Sequence, residues 1–471
     1  MSEELERLAN GCLLPGFAGV TPPDWVRREL EAGLGGVVLF SRNVRDPEQV
    51  AALTAAVRSV RPDVVVATDE EGGDVTRLAA DGGSSYPGNW ALGAVDDVAL
   101  TERVAAAIAG DLMATGVNLD FAPVADVNTN PQNPVIGVRS FGADAALVAR
   151  HVAAFVRGLQ GGGVAACAKH FPGHGATELD SHLELPTVAA VELAPFQAAI
   201  DAGVQSIMTA HIRVPAIDDQ PATLSRRLLT DVLRGELGFR GMVVTDALEM
   251  RALSSTLAPG EAAVRALAAG ADALCLGHDL GEHAVQAVRD AVVAAVRSGR
   301  LAEERVADAA ARVTAVAKWA SRPGRRPDAD AAVGLEAARR ALVAEGNVEL
   351  SSAPLVVELW PAPSLAAGKA GHGLGDALRS RVPETEVLRL DRSAVEPPAD
   401  DRPLVLVVRD AHRHGWQQDL AEAVLAARPD TVVVETGLPE WRPAAAAGYV
   451  ATLGGGRVNL EAAAERLAAL A

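Results

Sequence analysis

The sequence predicts a (β/α)8 barrel followed by a smaller, open α/β sandwich domain. Eight short apolar runs, at residues 12–17, 37–40, 64–69, 117–122, 166–171, 206–211, 242–246 and 273–277, alternate with longer amphipathic segments up to about residue 320. That is the pattern of parallel strands joined by crossover helices. Polar residues gather at the C-terminal ends of these runs: Asp69, Glu70, Asp120, Asp126, Lys169, His170, His211, Asp246 and His278. In a barrel of this kind that rim carries the chemistry. A stretch rich in Pro, Gly and charge at 321–328 then reads as a linker, which divides the chain into a barrel over 1–320, a linker over 321–330 and a second domain over 331–471.

The intervening segments support the same division. Helical periodicity is expected over 47–60, with Asp46 as its cap, and over 100–115, 143–159, 193–202, 260–269 and 302–319. Beyond the linker, strand-like runs at 355–359, 386–390, 404–408, 431–435 and 449–453 alternate with helical segments at 417–428 and 460–470.

Of the 471 residues, 49% are hydrophobic but only 3% aromatic, so Ala, Val and Leu must build the core. A formal net charge of -18 disfavours nucleic acid and anionic membrane surfaces as partners. No apolar run is long enough to span a bilayer. The acidic N-terminus carries no basic segment leading into an apolar stretch, so a cytoplasmic location is expected, with a monomer or weak homo-oligomer as the assembly. Cys12, Cys167 and Cys275 are far apart and form no Cys-x-x-Cys pair; they read as small buried hydrophobes rather than metal ligands.

The richest segment runs from Lys169-His-Phe-Pro-Gly-His-Gly175 to Asp180-Ser-His182. Its glycines and proline predict a loop leaving the fifth strand. In Asp180-x-His182 a carboxylate can hold one imidazole nitrogen, fix the tautomer and stabilise the imidazolium. Such a histidine can protonate a leaving group and then deprotonate water near neutral pH. Asp246 ends an apolar strand and faces the barrel mouth, where it can attack an electrophilic carbon or bind a metal. Asp69 heads Asp69-Glu-Glu-Gly-Gly73, with Arg77 shortly after, and Arg139 lies among loop-forming residues; carboxylates there suit sugar hydroxyls, and an arginine can clamp a polar ligand.

Together these segments resemble glycoside hydrolase family 3, in its β-N-acetylglucosaminidase branch, which includes cytoplasmic enzymes of peptidoglycan recycling. The resemblance rests on Leu39-Phe-Ser-Arg-Asn43, Asp69-x-Glu-Gly-Gly73, Pro87-Gly-Asn89, the runs 118–127 and 133–141, Lys169 to Gly175 with Asp180-Ser-His182, Met208-Thr-Ala-His211, the run 221–225 and Gly238-Phe239 leading into Thr245-Asp246. It implies a nucleophile at Asp246, an acid/base dyad of Asp180 and His182 on a mobile loop, and a terminal sugar held by Asp69, Arg77, Arg139, Lys169 and His170, with neither metal nor cofactor. The chain departs from the pattern at Glu70, where glutamine is common, and at Asp74, where arginine is common; both are expected to add negative charge near the sugar. The second domain resembles a compact version of the family's own. Three other readings stay open: a phosphorylase using phosphate in place of water, a metal-dependent hydrolase with His170, His174, Asp180, His182 and Asp246 as ligands, and a sugar-binding protein with a retired site.

Overall fold

The computed structural model describes residues 2–277, 281–321, 330, 332–361, 372–390 and 401–468. His278 and nearly all of the linker expected over 321–330 lie outside the described residues.

All eight expected barrel strands form: β1 (Leu13–Pro15), β2 (Gly36–Val38), β3 (Val65–Thr68), β4 (Leu119–Asp120), β5 (Ala165–Phe171), β6 (Ser206–Thr209), β7 (Met242–Thr245) and β8 (Leu274–Leu276). β2 to β7 make one sheet in chain order, and β8 pairs with β1. A bridge between Val244 and Ala273 joins β7 to β8. Every one of these pairings is parallel. Between β1 and β2 the chain closes more loosely, through the Gly35 amide donating to the Asn10 carbonyl at 3.0 Å.

The alternation of side chains along each strand explains why the runs are apolar throughout. Val65 and Ala67 of β3 and Ala165 and Cys167 of β5 pack into an inner cluster with Leu14, Val38, Val244 and Cys275. Val64, Val66, Ala166 and Ala168 face outward into the larger cluster shared with the helices. Val313, Val316 and Ala317 of the helix Glu303–Ala320 join the inner cluster and fill one end of the barrel. The helix Pro47–Val60 begins where expected, with the Asp46 side chain accepting from the Gln49 amide.

The second domain is a six-stranded sheet: β9 (Val343–Gly346), β10 (Leu355–Leu359), β11 (Glu386–Leu390), β12 (Leu404–Val408), β13 (Val432–Glu435) and β14 (Gly448–Ala451). Its order is β9-β14-β13-β12-β10-β11, parallel except for β9. Strand β9 escapes sequence reading because it is an edge strand, and its residues Val-Ala-Glu-Gly are largely exposed.

This domain grips the barrel rim. Asp74, 9% exposed, accepts from Arg409 Nη2 at 2.6 Å and from the Gly455 amide at 2.7 Å. Arg457 donates to Ser85 Oγ at 2.6 Å. Asp74 therefore adds no free charge near the mouth, contrary to the expectation for that position; its partner lies 335 residues away in sequence. Removing Arg409 leaves a buried carboxylate short of its cation. The Arg409→Met variant is expected to lose about 1–3 kcal/mol. Asp74→Asn in the same chain should recover part of that loss, measured as the coupling energy of a double-mutant cycle in urea.

Candidate active site

The floor of the site is a knot of buried charges at the ends of β3 and β5. Gly72 and Gly73 both take positive φ, +79° and +58°, and turn the chain back after β3. A Cβ on Gly73 would sit 2.5 Å from the Gly88 Cα, so only glycine fits. Lys169 Nζ lies 2.7 Å from Asp69 and 2.6 Å from Glu71. Arg139 donates to Glu71 through Nε at 3.0 Å and Nη2 at 2.8 Å, and to the Val135 carbonyl through Nη1 at 2.9 Å. Arg77 Nη2 is 3.5 Å from Asp69. Burial alone would raise both carboxyls, but Lys169 and Arg77 hold Asp69 well below the usual range, and Arg139 and Lys169 hold Glu71 at about 2. Burial would likewise lower Lys169, and the charges of Asp69 and Glu71 outweigh it and keep it protonated.

The adjacent Glu70 has a different part. Its carboxylate accepts from the Arg77 and Leu78 amides at 2.9 and 3.0 Å and so stitches the turn. Burial raises it to about 7. The expectation that Glu70 adds charge beside the sugar is therefore corrected: consecutive side chains point to opposite sides, and Glu71 is the one that meets the cations.

The segment after β5 is built around two other histidines. His170 Nδ1 lies 2.7 Å from Asp126, whose other oxygen accepts from the His174 amide at 2.6 Å. The His174 ring bonds Thr177 Oγ1 at 2.9 Å and Ser181 Oγ at 2.9 Å, and burial lowers its pKa to about 4. Asn133 donates to the His174 carbonyl and to Thr177 Oγ1 at 2.9 and 3.1 Å. Ser181, thus fixed, sits between Asp180 and His182. Asp180 Oδ1 lies 2.7 Å from His182 Nδ1 and also accepts the His182 amide at 2.9 Å. The His182 side chain is 29% exposed against 12% for Asp180, so the imidazole faces the mouth while its carboxylate backs it. Burial would depress the His182 pKa, but Asp180 and the charge of Asp246 raise it above 6.5.

Asp246 follows β7 directly. Its Oδ1 accepts from the Ala247 amide at 2.8 Å. Although burial opposes ionisation, His211, His170 and His182 keep the carboxyl below 3.8. His211 is itself fixed between Thr223 Oγ1 at 2.8 Å and the Ala247 carbonyl at 3.0 Å. Glu249, three residues beyond Asp246, accepts from the Gly277 amide at 2.9 Å.

The structure thus brings all eight singled-out residues to one end of the barrel: Asp69, Arg77, Arg139, Lys169 and His170 in the floor, and Asp180, His182 and Asp246 around it. Sequence reading did not assign roles to Glu71, Asp126 or His211. Asp126 carried a signal, a carboxylate inside the apolar run Val124-Ala-Asp-Val127. Both ring nitrogens of His174 are committed, to Thr177 and Ser181, while His170 Nδ1 is held by Asp126. Among the described residues no three His, Cys, Asp or Glu side chains are placed to hold a metal ion. A small cleft between the barrel rim and the second domain is lined by Glu71, Asp74, Asn89, Arg139 and Gly454 rather than by Asp246 or His182.

A barrel with a cation-locked carboxylate floor, a strand-end aspartate and a carboxylate-braced histidine defines a glycoside hydrolase. The model of the glycosyl hydrolase family 3 N-terminal domain matches residues 24–316, and the chain belongs to that family. A β-hexosaminidase A from Pseudoalteromonas piscicida is 38% identical over 281 residues, covering 53% of this chain and 47% of that longer relative. A β-hexosaminidase from Stenotrophomonas maltophilia is 39% identical over 296 residues, covering 59% of this chain and 87% of the relative. The structure of a family 3 β-N-acetylglucosaminidase from Paenibacillus superposes over 98% of this chain and 96% of that one, with 34% identity and a TM-score of 0.86.

Glu71 holds two buried cations, so its loss should be felt in stability. Glu71→Gln is expected to lower unfolding free energy by about 3 kcal/mol, read from denaturant melts. The exposed Glu178→Gln, on the loop leading to Asp180, serves as the near-neutral comparison.

Proposed function

We propose that the chain is a retaining β-N-acetylhexosaminidase that removes a terminal non-reducing β-linked N-acetylglucosamine. The observation that carries this reading is the pairing of two groups from different elements: the Asp180-braced imidazole of His182 and the carboxylate of Asp246, each shifting the other toward its charged form. The names of the relatives support the sugar.

In this mechanism the ionised Asp246 attacks the anomeric carbon. The C1–O bond breaks, and the imidazolium of His182 gives its proton to the leaving oxygen. His182, now neutral, takes a proton from water as the water displaces Asp246 from C1. Two inversions retain the β configuration. Asp69 accepts hydrogen bonds from sugar hydroxyls, and Arg77, Arg139, Lys169 and His170 donate or position them. Three of the five Arg139 N–H groups are engaged within the protein, which leaves the others for ligand. The partner is a small carbohydrate, and the three free, buried cysteines fit a cytoplasmic, reducing compartment. Among the described residues no helix is long and apolar enough to cross a membrane.

The pH profile follows from the two shifts. Activity needs Asp246 ionised and His182 protonated. It is lost as pH falls through the depressed Asp246 pKa, below 3.8, and as pH rises through the elevated His182 pKa, above 6.5. Asp180→Asn removes the carboxylate that raises His182, so the alkaline limb of kcat/KM should move to lower pH and the rate should fall roughly 10²- to 10⁴-fold. An alkaline limb that stays put would contradict the dyad. With aryl glycosides, the β-N-acetylglucosaminide should outrun the β-glucoside, and NMR of the first product should show the β anomer; an α anomer would overturn the mechanism.

A further inference from the structure

The segments 208–211 and 221–225 take no part in the proposed dyad or in the carboxylate floor, yet they converge beside Asp246. His211 lies just beyond β6, and Thr223 lies in the short turn Ala222–Leu224. Both side chains are fully buried. The imidazole of His211 spans the gap between that turn and the end of β7. Its Nδ1 is 2.8 Å from Thr223 Oγ1, and its Nε2 is 3.0 Å from the Ala247 carbonyl. Thr223 Oγ1 is in turn 2.8 Å from Thr209 Oγ1.

A carbonyl can only accept, so Nε2 carries a hydrogen. Burial favours the neutral ring and holds its pKa below 6.5, although Asp246 opposes that. A buried Nδ1 without a donor would be costly. It therefore takes the Thr223 hydroxyl hydrogen in preference to the Ala210 carbonyl, which lies 3.0 Å from the same hydroxyl. The Thr209 hydroxyl then donates to Thr223. The hydrogen bonds run one way, from Thr209 through Thr223 and His211 to Ala247.

That chain ends on the residue that grips the strand-end carboxylate. The Ala247 amide donates to Asp246 Oδ1 at 2.8 Å, and among the described residues no hydrogen bond engages Oδ2. The ladder between β6 and β7 stops at Thr209 and Thr245, and the Asp246 amide reaches the Thr209 carbonyl only at 3.3 Å. Beyond that point the Ala247 carbonyl is the anchor. It accepts from His211 and, at 3.1 Å, from the Met250 amide on its own strand-end turn. Resting on the glycosidase reading, we propose that His211 is a positioning residue for the nucleophile, which through Ala247 sets the direction in which Asp246 presents Oδ2 to the anomeric carbon. Its buried ring has both nitrogens engaged, so it does not compete with His182 for proton exchange. An apolar side chain of similar size would fill the space but leave Ala247 less constrained, and an error of about 1 Å at an attacking atom costs on the order of 10²-fold.

The test uses the full chain and an aryl β-N-acetylglucosaminide in single turnover, where release of the aryl alcohol reads the attack on C1 and its concentration dependence reads binding. His211→Leu should slow release roughly 10- to 100-fold at saturation, with the half-saturating concentration little changed. His211→Gln places an amide N–H where Nε2 stood and should recover most of the rate. Thr223→Val removes the hydroxyl that orients the ring and should fall between the parent and His211→Leu. A parental rate in His211→Leu, or a His211→Gln variant as slow as His211→Leu, would overturn the proposal and leave the glycosidase reading intact. Should His211→Leu fail to fold, a parental rate in Thr223→Val would overturn it equally. A parent that releases no aryl alcohol would overturn both.

Discussion

Two buried cations, Lys169 and Arg139, and two carboxylates, Asp69 and Glu71, hold one another in place at the mouth of the barrel. None of the four is tolerable alone at its depth, because an unpaired buried charge is strongly destabilising. Together they tie the turn after β3, the loop bearing Arg139 and the end of β5 into one rigid unit. In the proposed reading a sugar hydroxyl arriving there meets donors and acceptors already fixed, so little reorganisation is left for the moment of reaction.

The dyad is organised differently. Asp180 and His182 ride on a loop, and their position depends on the uncharged ring of His174 holding Thr177 and Ser181. Burial keeps His174 neutral near physiological pH, so its two ring nitrogens act as one donor and one acceptor between the two hydroxyls. Three histidines in a short segment thus sit differently: His170 orients on Asp126, His174 fixes the loop, and His182 is the one to which the proposed mechanism gives proton exchange. The separation follows from burial, since only the partly exposed ring can accept and release a proton readily.

The barrel was legible because its strands are buried on both faces and so read as short, continuous apolar runs. The polar residues that end them stand out against that background. Pairings between distant segments were not legible. Glu70 and Glu71 look alike in sequence; which one meets Arg139 depends on a turn set by Gly72 and Gly73 and on an arginine 68 residues on. Asp74 looked like surplus charge because its cation, Arg409, lies in the other domain. β9 was invisible for the opposite reason: an exposed edge strand has no apolar pattern to read.

In the proposed mechanism the general acid, His182, comes from the barrel and not from the second domain. Its contacts nevertheless fall on both parts of the site. Arg409 and Gly455 close on Asp74, at the turn that follows Asp69 and Glu71. His412 closes on Pro131, in the loop that supports His174 and Thr177. A domain that touches both the turn after β3 and the loop after β4 constrains their separation.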